Sequence, residues 1–171
     1  MAKTNDSDTL GLADNLSFQR RTWEVQRVGW IIMVLISIAA LLGVFGKGPF
    51  SNGRLGDDAS PLRADYERFL RLNAPAQLTV YVGGSAIRPD STVELWIDRS
   101  WLSRMEINGI TPEPDKTRVL GDRLAYTFRA QPGPKPVRIT FEMDNRALWR
   151  IGGELGLTNG PSYSFSQFAY P

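Results

Sequence analysis

From Val28 to Gly46 the chain runs nineteen residues without a charge, VGWIIMVLISIAALLGVFG, and this run limits the fold more than any other feature. At about 1.5 Å of rise per residue a helix of that length covers roughly 28 Å, close to the hydrocarbon thickness of a bilayer. Arg27 and Lys47 bracket it, and Trp23, Trp30 and Phe50 fall where aromatic side chains sit at a membrane–water boundary. A soluble domain of the roughly 120 residues that follow rarely encloses so long an unbroken apolar helix. A cleaved leader has an apolar stretch of about 7–15 residues and an Ala-x-Ala cleavage site, which GVFGKGPF lacks. The run is therefore expected to be an uncleaved signal anchor, a transmembrane helix over residues 28–46. It divides the chain into a tail at 1–27, a linker at 47–61 and a domain at 62–171.

Charge does not single out one orientation. Arg20, Arg21 and Arg27 precede the run, and Lys47, Arg54 and Arg63 follow it within about 20 residues, the range over which basic residues set topology. The tight grouping on the N-terminal side favours a cytoplasmic tail and an extracytoplasmic domain. Within the run, Ala39, Ala40 and Gly43 form a small-residue face against which a helix of another integral membrane protein can approach closely. Residues 1–17 are polar and read as disordered, and Phe18–Arg27 reads as an amphipathic lead-in at the headgroups of the lipid bilayer.

The domain reads as mainly β. QLTVYV, STVELWID, LAYTFRA and VRITFEM alternate apolar and polar residues, the pattern of strands with one buried face. Leu78, Val80 and Val82, then Val93, Leu95 and Ile97, then Val137, Ile139, Phe141 and Met143 are the expected inward sets. Gly83–Gly84, Asn108–Gly109 and Asn159–Gly160–Pro161 read as turns between strands. SYSFSQFAYP reads as a closing strand carrying Tyr163 and Phe165, with Phe168 joining them. SPLRADYERFLRLNAP fits a helix capped by Ser60, or a strand with Leu62, Ala64 and Tyr66 inward that pairs with QLTVYV through Asn73–Ala74–Pro75; the strand is preferred. SWLSRMEI and RALWRIGG read as short helical turns, and IGGELGLTNG as a loop. Frequent turn residues and the absence of a βαβ rhythm point to an antiparallel β-sandwich of immunoglobulin-like type.

The residue inventory narrows the chemistry. The chain has no Cys and no His, so a Ser-His-Asp triad and a thiol nucleophile are excluded, and zinc or copper sites are disfavoured. No cofactor and no metal site is expected. The glycine-rich IGGELGLTNG lacks the Lys of a phosphate-binding loop. From Arg54 onward there are 15 basic and 14 acidic residues, with no basic stretch of the kind that binds nucleic acid. A hydrolase built on paired carboxylates is the one enzymatic reading left. Binding chemistry rests on aromatics. Trp96, Trp101 and Trp149, flanked by Arg99, Arg104, Arg146 and Arg150, are the candidate patch for a protein, a sugar or a cell-wall fragment. The expected function is a non-enzymatic, membrane-anchored accessory protein that docks on a larger inner-membrane protein. A membrane-tethered ligand-binding module is the alternative.

Four stretches carry a resemblance. Trp23-Glu24-Val25-Gln26-Arg27-Val28-Gly29-Trp30, Gly43-Val44-Phe45-Gly46-Lys47-Gly48-Pro49, Tyr66-Glu67-Arg68-Phe69 and the ending Phe165-Ser166-Gln167-Phe168-Ala169-Tyr170-Pro171 resemble a family of small uncharacterised bacterial inner-membrane proteins. Some of its members neighbour multi-span proteins of the YetF type. The resemblance implies a bacterial source and an inner-membrane location, and it carries no activity. The layout is also similar to that of the copper-delivering assembly factors of cytochrome oxidase, in which one span precedes an immunoglobulin-like outer domain. Their copper-binding cysteines have no counterpart in a cysteine-free chain, so this likeness implies an architecture and not a copper role.

Overall fold

The computed structural model describes residues 15–42, 51–131, 133 and 135–171. The chain divides into two units, which meet in sequence between Leu42 and Gly43.

The first unit is one helix, α1, Asn15–Leu41. Its 27 residues give a length of about 40 Å. It begins well before the expected span, so residues 15–27 of the expected tail are helical and continuous with it. Residues 43–46, including Gly43, lie outside the described residues. Between Thr22 and Leu41 the mean hydropathy reaches 1.7, and the described residues leave that stretch unburied. Ser37, in the middle of the apolar run, donates its hydroxyl back to the Met33 carbonyl at 2.8 Å, which satisfies it within the helix. A helix of this length and composition is able to cross a bilayer; a signal sequence passes the same test.

The second unit is a β-sandwich. Its elements are β1 (Asn52–Leu55), β2 (Leu62–Glu67), β3 (Phe69–Arg71), β4 (Pro75–Val82), β5 (Thr92–Asp98), a one-turn helix α2 (Arg99–Leu102), β6 (Met105–Thr111), β7 (Lys116–Leu120), β8 (Arg123–Arg129), β9 (Val137–Asn145), β10 (Trp149–Leu157) and β11 (Ser162–Tyr170). One sheet has the order β1-β2-β4-β9-β6 and the other β3-β11-β10-β5-β8-β7. All pairs are antiparallel except β3 with β11, which run parallel.

The inward sets read from alternation form the core. Val93, Leu95, Ile97, Ile139 and Phe141 are fully buried, and Leu78 and Met143 almost so. Aromatic rings join the two sheets. Tyr126 of β8 meets Phe141 of β9 at 5.5 Å between ring centroids, and Tyr66 of β2 meets Phe165 of β11 at 5.2 Å. Burial of the Tyr126 ring pushes its phenol above the ordinary tyrosine range, because the phenolate cannot be solvated there. Above about pH 10 the unfolded chain gives up this proton while the folded chain keeps it, so stability falls as pH rises through that range. Tyr126→Phe is expected to flatten this alkaline fall, as read from urea midpoints across the pH series.

The ambiguous stretch after Ser60 is a strand, in the preferred register: Leu62 pairs with Val82 and Tyr66 with Leu78. It does not stay in one sheet. The ladder breaks at Arg68, and Phe69–Arg71 crosses to the other sheet beside β11. Four other expectations are corrected. The expected linker holds β1, so the domain starts near residue 51 and not at 62. The expected turn at Asn108–Gly109 is a bulge within β6, where the register with β9 shifts between Ile107 and Gly109. The end of the expected helical turn SWLSRMEI, from Met105 on, belongs to the strand Met105–Thr111. Trp149–Leu157, shared between the expected helical turn RALWRIGG and the expected loop IGGELGLTNG, is β10, the strand between β5 and β11.

Candidate docking surface

The three tryptophans proposed as one patch are not one patch. Trp101 sits on α2, whose first turn is capped by the Asp98 carboxylate accepting from the Ser100 backbone N–H at 2.9 Å and its hydroxyl at 2.8 Å. That cap turns the indole inward, where it is 1% exposed. Its Nε1–H donates to Gln167 Oε1 at 2.9 Å, and Gln167 Nε2 donates in turn to the Glu67 carbonyl at 2.7 Å. The ring lies over Gly153, and its edge meets Phe165 at 5.2 Å. Trp101 therefore closes the core and is withdrawn from any ligand.

Trp96 does lie in the outward register of β5, yet it is 6% exposed. Gly156, its neighbour on β10, leaves the space into which the indole settles. The Arg123 guanidinium covers the ring from above at 3.7 Å, and Nε1–H donates to the Leu157 carbonyl at 3.3 Å. Alternation identified the correct face, but that face is roofed by an arginine.

Trp149 alone is open, 65% exposed at the start of β10. Its φ of 67° is left-handed, a conformation that bulky residues rarely adopt. The ring packs edge-on against Phe168 of β11 at 6.3 Å. Leu148 and Phe168 are themselves 39% and 43% exposed. Phe69 on β3 is half-buried and pairs with Phe168 across the parallel ladder. The exposed apolar group is therefore Leu148, Trp149 and Phe168, with Phe69 at its margin. Phe168 falls on the opposite phase of β11 from Tyr163, Phe165 and the buried Gln167, a signal the spacing of the closing strand already contained.

Backbone strain at Trp149 makes a prediction. Glycine usually costs about 0.5–1 kcal/mol relative to alanine within a strand. At a left-handed position the order reverses, so Trp149→Gly is expected to be more stable than Trp149→Ala by about 1 kcal/mol. Paired thermal melts of the two variants check this.

Of the flanking arginines, Arg146 bonds Glu106 and the Asn73 side-chain oxygen, and Arg150 donates to Ser166 at 3.1 Å. Arg104 makes no ion pair among the described residues, nor do Arg68 and Arg71 at the same end of the domain. Of the small-residue face of the helix, Ala39 is half-buried and Ala40 exposed in α1, and Gly43 lies outside the described residues.

Two shallow polar grooves lie elsewhere on the sandwich. One, of about 410 Å³, is lined by Arg54, Asp65, Glu67, Gln77 and Thr79. It brings two carboxylates together, but both stand on β2, and Asp65 is held by Arg54 at 3.2 Å. Glycosidic chemistry places its two carboxyl groups on opposite sides of the bond to be cut, which one strand does not do. The other groove, about 420 Å³, is lined by Arg88, Asp90, Lys116, Arg118 and Arg129 among others. There the Thr92 hydroxyl holds the Asp90 carboxyl below the usual carboxylate range. Among the described residues no group of three or more acidic side chains is placed to hold a metal ion.

No family model matches the chain, and no curated protein matches it. Among solved structures it is similar to a cohesin module from a Clostridium perfringens family 33 glycoside hydrolase, at 10% identity and a TM-score of 0.41, over 64% of this chain and 96% of that one. It is also similar to the seventh ScaB type I cohesin of Pseudobacteroides cellulosolvens, at 6% identity and a TM-score of 0.33, over 59% of this chain and 80% of that one.

Proposed function

We propose that this chain is a membrane-tethered, non-catalytic accessory protein: α1 anchors it, and the sandwich docks beside a larger integral membrane protein. The observation that carries this reading is the apolar stretch Thr22–Leu41, which none of the described residues covers. The sandwich already has a closed core of its own, built from both sheets. An apolar helix with no protein to bury it is most simply satisfied by lipid. Trp23 and Trp30, 71% and 61% exposed, would then sit at the cytoplasmic interface. The N-terminus-in orientation and the inner-membrane location belong to this same proposal.

Docking on a protein partner through the Ala39–Ala40–Gly43 face follows from how membrane helices pack, by close approach of small residues. Crosslinking in native membranes followed by mass spectrometry is expected to recover one integral membrane protein at stoichiometric yield. Ala39→Leu with Gly43→Leu is expected to reduce that yield by blocking the approach. A specific complex that survives both substitutions unchanged would remove the helix-contact part of the proposal. The alternative of a tethered sugar-binding module rests on Trp149 alone, because Trp96 and Trp101 are interior.

A further inference from the structure

We infer that Leu148, Trp149 and Phe168 form a lipid-contact surface that seats the sandwich on the bilayer from which it is tethered. The inference rests on the tethering reading of α1.

The first argument is where the group stands relative to the start of the domain. The Ser51 carbonyl accepts from Arg68 N–H at 2.6 Å, and the Arg68 carbonyl accepts from Phe168 N–H at 2.8 Å. Phe168 is thus two hydrogen-bonded neighbours from the residue where the chain enters the sandwich, roughly 10 Å away at ordinary strand spacing. Between the end of α1 and Ser51 lie only residues 42–50. Fully extended, that segment reaches at most about 30 Å. Phe168 therefore stands near the point where the chain enters the sandwich, whereas the turn at Asn159 is about 20 Å further along β11.

The second argument is size. The three side chains together offer on the order of 300 Å² of apolar surface. A stable protein–protein contact needs about 800 Å² on each partner. Shallow insertion of a few large side chains into the headgroup region has no such threshold, and tryptophan is the residue that favours that region. The third argument is charge. Arg68, Arg71 and Arg104 stand at the same end without ion-pair partners among the described residues, which suits anionic headgroups. Finally, Trp149 keeps its ring outward at the cost of a left-handed backbone.

The chain has no cysteine, so one introduced thiol takes one label. The full-length protein is reconstituted in vesicles of equal parts phosphatidylcholine and phosphatidylglycerol with bromine on the upper acyl chain. A fluorophore is placed at Ser166→Cys, Asn159→Cys or Ile36→Cys in turn. The expected result is quenching by brominated lipid at 166 and 36 and none at 159, with the quenching at 166 lost when Trp149→Ala and Phe168→Ala are added. Circular dichroism melts of the same proteins establish that the sandwich is intact. Quenching at 36 without quenching at 166 would overturn the lipid contact and leave the tether standing. Absence of quenching at 36 would overturn the tether and the inference with it. Quenching at 166 that survives both alanine substitutions would overturn the assignment to these residues. Protection of the 166 label from iodide in native membranes, without lipid quenching, would assign the surface to a protein instead.

Discussion

Gly153→Val is expected to unfold the sandwich under conditions where the parent chain is fully folded. A Cβ at position 153 would stand 2.7 Å from Trp101 Cγ and 2.9 Å from its Cβ, where no real contact exists. The indole has nowhere to retreat: Gln167 holds its nitrogen at 2.9 Å, and Phe165 stands against its edge at 5.2 Å. Moving it would break the hydrogen-bonded link from Trp101 through Gln167 to Glu67, which joins α2, β11 and the end of β2. Overpacking at such a site costs about 1–3 kcal/mol, and more where the neighbours cannot give way, and a domain of this size has only about 5–15 kcal/mol to lose. Urea denaturation followed by tryptophan fluorescence measures the loss. If the clash is the cause, adding Trp101→Leu to Gly153→Ala is expected to restore part of what Gly153→Ala loses, and the double-mutant cycle isolates that coupling. Equal losses in both backgrounds would mean that Gly153 is required for another reason.

A charge in the middle of α1 has the second large effect. Ile36→Asp is expected to cost about 2.5–3.5 kcal/mol of insertion free energy, shifting the membrane-inserted to non-inserted ratio roughly a hundredfold. The sandwich should be untouched, since its core is closed without the helix. The two readouts therefore separate: membrane yield falls while the thermal midpoint of the domain is unchanged. Ser37→Asp, one residue on, is expected to lower membrane yield in the same direction, because it too places a charge in the middle of the apolar stretch. A large difference between the two would point to a polar or protein-lined face.

Much of this architecture is legible in the sequence, for a physical reason. Strands that bury one face must alternate, and β4, β5, β8 and β9 do so over seven to nine residues, enough for the period to stand out. β1, β3 and β7 have four, three and five residues, too few for any period to register. β10 escaped because its glycines resemble a loop; Gly153 and Gly156 are instead sockets for Trp101 and Trp96. That same pairing explains why the tryptophans were misplaced as a surface patch. Alternation reports which face a side chain takes, not whether an arginine such as Arg123 roofs it or a capped turn such as α2 folds it inward. Conversely, Trp149 was expected to be exposed and is, but its companions Leu148 and Phe168 depend on the β10–β11 ladder, a pairing at long range.

The most direct test of the account is the intact mass of the protein recovered from cell membranes after an alkaline carbonate wash, compared with that in the wash. The chain is expected to stay in the pellet, with a mass that includes the whole of α1. A species released into the wash, or one whose mass shows that α1 has been removed, would contradict it.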